Sequence, residues 1–248
     1  MKRIISSLAI NLAFASVAFS GQQVPLQLAD GVTLDATYYP AAQPGPGLLF
    51  LNMCDPSRDQ REWSRVASRL NSKGFHVLTF DYRGFGTSGG DRPRNLRSIT
   101  EAMPYWREHW MSDVQAAYDL LTSQPDVSDT NMGIAGASCG VFLGLEFALD
   151  NANIRSLVFL GGPTDAMQRE RLTELADVPI LLISGDQKGP NETQGTLEWS
   201  DDVFQASTNL ATQFHKYKTV THGTLIFEHH PETMDMVVDW FATTVEQR

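Results

Sequence analysis

Apolar residues recur along this chain in two alternating rhythms, and the alternation predicts its architecture. Residues 24–28 and 32–39 read as strands joined at Asp30-Gly31, a strong short hairpin signal. A loop rich in Pro and Gly, 40–47, leads to residues 48–53, the wholly apolar run of a strand buried on both faces. Trp63, Val66, Ala67 and Leu70 then fall at i, i+3, i+4 and i+7, the stripe of an amphipathic helix that Gly74 ends. Residues 75–80 are apolar again. Strand, helix, strand is a crossover unit, so these two strands are expected to run parallel.

The rhythm repeats downstream. Ser112 and Gln115 have the spacing of a capping box, and Val114, Ala117, Tyr118 and Leu121 mark the face of the helix it would open. Residues 132–135, 156–160 and 179–184 read as buried strands, 199–212 as helix and 214–220 as a last strand. Met234, Val237, Val238 and Phe241 give the closing helix its stripe. The predicted fold class is α/β: a mostly parallel, twisted central sheet, with an N-terminal antiparallel hairpin and helices on both faces. Chemistry in such sheets gathers at the carboxyl ends of the strands.

Composition adjusts this picture at the amino end. Lys2 and Arg3 precede an apolar stretch, 4–19, that closes on Ala18-Phe19-Ser20, the pattern of a secretory signal peptide cut after Ser20. As a membrane anchor the run is short and broken by Ser6, Ser7, Asn11 and Ser16. The expected organisation is therefore a signal peptide, 1–20, and one domain, 21–248, exported to the periplasm or beyond and free of the membrane after cleavage. Cleavage removes two positive charges and moves the formal net charge from −10 to −12. An acidic chain without a Lys/Arg cluster is not built for nucleic acid, whose binding rests on phosphate neutralisation. A small molecule is the expected partner.

One stretch combines both rhythms with chemistry. Ile134 to Phe142 reads as a strand end, then Gly136-x-Ser138-x-Gly140, then a helix to about Leu149. Turning from strand to helix so quickly strains the serine backbone, and only glycines two before and two after let the chain pass that close. The turn lifts the Ser138 hydroxyl to the positive end of the helix. A serine hydroxyl alone is a poor nucleophile; it needs a base and an oriented partner for that base.

With these stretches in view, the chain resembles the α/β-hydrolases of the serine esterase type over nearly all its length after the signal. The resemblance is carried by the Ser138 turn, by Asp81-Tyr82-Arg83-Gly84-Phe85-Gly86-Thr87-Ser88, similar to the family's Asp-x-Arg-Gly-x-Gly-x-Ser signature, and by His222-Gly223. It also resembles, less specifically, the dienelactone hydrolase branch, which has cysteine where this chain has Ser138. The resemblance implies Ser138 as nucleophile and His222, after the last strand, as base. The other five histidines sit elsewhere: His76 and His215 in strand-like runs, His109 among aromatics, His229-His230 before the last helix. The acid should lie between Ser138 and His222, in the loop Gly185-Asp186-Gln187-Lys188-Gly189-Pro190. Relatives often carry it two or three residues beyond the glycine, where Gln187 and Lys188 stand, so Asp186 is the nearest carboxylate. Asp165 and then Asp201 or Asp202 are the alternatives.

The family's oxyanion hole maps onto the backbone N–H of Cys139 and of Cys54, in the loop Asn52-Met53-Cys54-Asp55 where relatives often have His-Gly. The chain's two cysteines thus fall in segments that must converge on one oxygen atom. In an oxidising compartment this favours a Cys54–Cys139 disulfide, against the alternative of two buried thiols. No cap domain is expected, and Met103 to Trp110 either walls the site or packs its aromatics on the core. The implied function is an exported serine hydrolase cleaving carboxylic esters or related acyl bonds through an acyl-enzyme. Peptidase, thioesterase or perhydrolase activity would use the same residues. A non-catalytic binding protein of the same fold, lacking a competent acid, is the rival class. No cofactor is expected, and no metal-ligand spacing such as His-Glu-x-x-His is present.

Overall fold

The structure, a computed structural model, describes residues 21–92, 98–187 and 195–245. The expected signal segment and Lys188-Gly189-Pro190 of the expected acid loop lie outside the described residues. Strands β1 (Gln22–Gln27) and β2 (Thr33–Tyr39) form the hairpin, with Gly31 at φ 86° making the turn. There follow β3 (Gly45–Leu51), α1 (Ser64–Asn71), β4 (His76–Phe80), α2 (Ile99–Tyr105), α3 (Met111–Thr122), β5 (Val127–Ala137) and α4 (Cys139–Leu149). The chain closes with β6 (Ile154–Leu160), α5 (Ala166–Glu170), β7 (Ile180–Gly185), α6 (Thr196–Ala206), β8 (Gln213–Tyr217), α7 (Ile226–His229) and α8 (Glu232–Thr244).

The described strands form one eight-stranded sheet in the order β1-β2-β4-β3-β5-β6-β7-β8. β1 and β2 pair antiparallel, as do β2 and β4; every other pairing is parallel. Side chains of the central strands alternate between two cores. Leu49, Leu51, Leu78, Ile134, Phe159 and Leu182 face α3 and α4, while Leu48, Phe50, Val77, Ala135, Val158 and Ile183 face α1 and α8. Burial on both faces is why these strands read as unbroken apolar runs. Residues on α8 that the sequence assigned to its stripe, Met234, Val237, Val238 and Phe241, are all buried. Between β6 and β7 lie only α5 and a 3-10 turn (Leu172–Leu175), so no cap domain is inserted there.

Three local expectations are corrected, and one left open, the packing of Met103 to Trp110, is resolved. Ser112 is not an N-cap: α2 continues through a π-helical turn (Trp106–Trp110) into α3, and the Ser112 hydroxyl donates to the His109 carbonyl at 2.9 Å. Trp106 and Trp110 of that turn are buried in the core, Trp110 stacked on Tyr82 with centroids 5.2 Å apart, rather than walling a site. The sixth helix starts earlier and stops earlier than 199–212, because Ser207 turns extended. The last strand ends at Tyr217, where the edge of the sheet bends away.

The Asp81–Ser88 signature fastens the sheet together. Asp81 Oδ1 accepts from the Gln60 N–H and from Asn52 Nδ2, both at 2.8 Å. Burial pushes its carboxyl up to about 6, outweighing those two bonds. Arg83 forks onto the fully buried Asp113 of α3, with Nη2 at 2.6 Å, and reaches Asp30 in the hairpin turn at 2.8 Å. The Ser88 hydroxyl accepts from the Asp35 N–H and donates to the Asp81 carbonyl. A β-carbon at Gly86 would stand 2.2 Å from Asp81 Oδ2, so only glycine fits that turn. Among the described residues no helix is long and apolar enough to cross a membrane.

Candidate active site

Ser138 ends β5 and opens α4 at φ 53° and ψ −119°, the one non-glycine residue with positive φ among the described residues. Such backbone costs roughly 1–3 kcal/mol and persists only where the surroundings impose it. Here they do so through three glycines. A β-carbon on Gly136 would lie 2.2 Å from the Gly140 carbonyl oxygen, and one on Gly140 would lie 2.5 Å from the Leu51 oxygen. One on Gly162, beyond β6, would lie 2.0 Å from the Ser138 backbone carbonyl oxygen. The Ser138 N–H donates to the Leu160 carbonyl at 3.2 Å, which ties the elbow to the end of β6. Ser138 itself is half-buried, at the carboxyl edge of the sheet.

The two residues expected to supply the oxyanion N–H groups are joined to each other, one of them directly after Ser138. Cys54 and Cys139 are joined by a disulfide, with their Cα atoms 5.8 Å apart. The bridge fixes the loop after β3 against the first residue of α4. Asn52, between β3 and that loop, is buried; its amide nitrogen holds Asp81, and its carbonyl accepts from the Tyr82 hydroxyl at 3.3 Å.

His222 is half-buried and caps a 3-10 turn (Gly223–Leu225) that packs on the ends of β5 and β6. A β-carbon on Gly161 would come within 3.4 Å of His222 Cβ, so Ser138 and His222 border the same dipeptide, Gly161-Gly162. The other histidines are elsewhere. His76 is buried in β4, 2.6 Å from the Tyr38 hydroxyl, and burial lowers its pKa. His109 lies against Tyr105, His215 is on the edge strand, and His229 and His230 are at the end of α7.

The carboxylates divide differently. Asp186 follows β7, and its N–H donates to the Tyr217 carbonyl at 2.9 Å; Gln187 N–H donates to Thr219 at 3.1 Å. These bonds lay the start of the β7 loop against the segment that leads to His222. The Asp186 side chain is exposed and makes no hydrogen bond or ion pair among the described residues. Asp165 caps α5 through the Gln168 N–H and pairs with Arg107 at 2.7 Å. Asp201 pairs with Lys216 at 3.1 Å and Asp202 with Arg169 at 3.6 Å.

Sequence reasoning passed over Asp55. It follows Cys54 and is half-buried; its Oδ1 accepts from the Ser57 N–H at 2.8 Å and the Ser57 hydroxyl at 2.7 Å. Burial pushes this carboxyl up, but the Ser57 bonds, Arg58 and the nearby His222 together hold it below its ordinary value. No motif marks such a residue. A cleft of about 520 Å³ lined by Pro46, Ser128, Arg155 and Asp177 lies at the amino ends of the strands, away from Ser138.

Comparison with known proteins places these features in context. Residues 60–169 match the family described as serine aminopeptidase, S33. An uncharacterised protein of Mycobacterium tuberculosis is 27% identical over 164 residues, 66% of this chain and 50% of that protein. The chain spans about half the length of the curated relatives it matches. Among solved structures, a Pyrococcus furiosus esterase superposes with a TM-score of 0.66 at 15% identity, covering 99% of this chain and 97% of the other. A dienelactone hydrolase of Anabaena variabilis gives 0.65 at 19% identity, covering 92% and 100%.

Proposed function

We propose that this chain, whose fold and partial family match are those of the α/β-hydrolases, is an exported serine hydrolase that cleaves carboxylic esters or related acyl bonds through an acyl-enzyme. The observation that carries this reading is the positive-φ serine between two sterically required glycines, with a histidine and a bridged oxyanion loop at the same sheet edge.

In this mechanism the Ser138 hydroxyl attacks the carbonyl carbon as His222 takes its proton. The negative charge that forms on the carbonyl oxygen is received by the N–H groups of Cys54 and Cys139. Collapse of the tetrahedral intermediate expels the alcohol, which leaves with the proton held on His222. Water, activated by the same imidazole, then releases the acid. A carboxylate of the loop after β7 orients the imidazole; Asp186 is its described member, and its neighbouring bonds to residues 217 and 219 support the assignment. The engagement of Asp165, Asp201 and Asp202 with arginine or lysine favours the β7 loop over those three. Export is supported by the disulfide, since such bridges persist in oxidising compartments. A domain spanning 21–248 and a small-molecule acyl substrate complete the proposal.

Hydrolysis of p-nitrophenyl butyrate tests it. The Ser138→Ala variant should lose turnover by at least about 10³-fold while keeping its circular dichroism; undiminished turnover would remove the mechanism. Asp186→Asn should lower kcat by at least about tenfold. Full activity in that variant with loss in Glu192→Gln would move the acid further along the same loop.

A further inference from the structure

Asp55 stands where the oxyanion loop meets the histidine loop. The Cys54–Cys139 bridge holds the loop on one side, next to Ser138. On the other side Met53 packs on the histidine segment: a β-carbon on Gly223 would be 2.7 Å from the Met53 sulfur, and the Thr224 hydroxyl lies 3.1 Å from it. The Thr224 hydroxyl also donates to Glu62, and Arg58 joins Glu62 at 2.6 Å to Glu228 at 2.9 Å across the same seam. Asp55 is therefore fixed in position by its neighbours, with its carboxylate steered by Ser57.

Among the described residues the charge along this rim is unbalanced. Arg58 is engaged by two carboxylates, Glu62 and Glu228, and Asp55 adds a third negative group beside it. We propose that Asp55 makes the acyl site selective by charge, accepting neutral and cationic acyl chains and disfavouring those that carry a carboxylate. The proposal rests on the serine-hydrolase reading and deepens it by naming the substrate class.

The test compares three p-nitrophenyl butyrates at low ionic strength: unsubstituted, bearing a terminal carboxylate, and bearing a terminal trimethylammonium. Unit charges roughly 7 Å apart across a half-exposed rim, at an effective dielectric of about 40, change a rate about three- to tenfold. The anionic ester should accordingly show a kcat/KM about three- to tenfold below the neutral one, and the cationic ester should equal or exceed the neutral one. Added salt should shrink both differences. Asp55→Asn, which keeps an acceptor for Ser57, should bring the anionic and neutral esters within about twofold, whereas a merely structural role would lower turnover of all three esters alike. An anionic ester cleaved as fast as the neutral one, or a charge ratio unmoved in the variant, overturns the proposal. Turnover that depends on Ser138 but ignores charge removes this inference alone, whereas no Ser138-dependent turnover of any ester removes the reading beneath it as well.

Discussion

Removing the Cys54–Cys139 bridge is a perturbation whose size follows from the chain itself. The two residues are 85 positions apart, and closing a loop of that length lowers the entropy of the unfolded chain by an amount worth about 4.5 kcal/mol at 25 °C in the chain-entropy model. A protein of this size has a urea m-value of about 2–3 kcal/mol/M, so the Cys54→Ala/Cys139→Ala double variant should unfold at a midpoint about 1.5–2 M lower. Tryptophan fluorescence against urea measures this directly, with the oxidised wild type, the protein reduced by a phosphine, and the double variant run together. In the proposed mechanism the bridge also holds the two N–H donors to the oxyanion, so kcat for a neutral ester should fall about tenfold or more with a smaller change in KM. A midpoint moving by less than about 0.3 M, or thiol titration finding both cysteines free in the untreated protein, would refute the reasoning about the bridge. A lowered midpoint with unchanged kcat would leave the bridge as a staple with no part in positioning the oxyanion loop.

Two further outcomes follow from the same geometry. Gly162→Ala puts a carbon 2.0 Å from the Ser138 backbone carbonyl oxygen and 2.7 Å from Val141 Cγ2, so the elbow must shift; kcat should drop by at least about 10²-fold, since a displacement of an ångström at the reacting atoms costs that much, and a variant with wild-type kcat would contradict the packing. Asp81, with its folded pKa raised by burial to about 6 from an ordinary 3.8, binds a proton more tightly folded than unfolded; its contribution is therefore present below about pH 3.8 and lost as pH rises through about 6. The gain in melting temperature of Asp81→Asn over wild type should accordingly be small near pH 4, grow up to about pH 6 and level off above it, and a difference independent of pH would dismiss the shift.

Much of the fold was readable because the two cores impose it. Each central strand must present apolar side chains to both faces, and Leu48 to Leu51 could do nothing else. The Ser138 turn was readable for a steric reason: the backbone oxygens of Leu51 and Gly140 lie where β-carbons would have to be. The disulfide, which the sequence left open beside two buried thiols, could be proposed because the family resemblance implies that the segments carrying both cysteines converge. Ser112 misled because a capping box is a local pattern, whereas the helix had already begun at Ile99 and its aromatics are drawn into the core through the π-helical turn. The acid stayed open because Asp186 faces solvent while its rivals are paired elsewhere. Asp55 was invisible, since its position depends on Met53 meeting Gly223 and Thr224, residues about 170 positions away.

The central claim is that Ser138 is activated by His222, and one measurement tests it most directly. The protein and its His222→Ala variant are treated with a fluorophosphonate, and the adduct is located by mass spectrometry over time. The account predicts a single phosphonylated peptide carrying Ser138, formed within minutes in the wild type and at least about 10²-fold more slowly in a folded His222→Ala variant. Absence of an adduct, an adduct on another residue, or equal rates in the two proteins would contradict it.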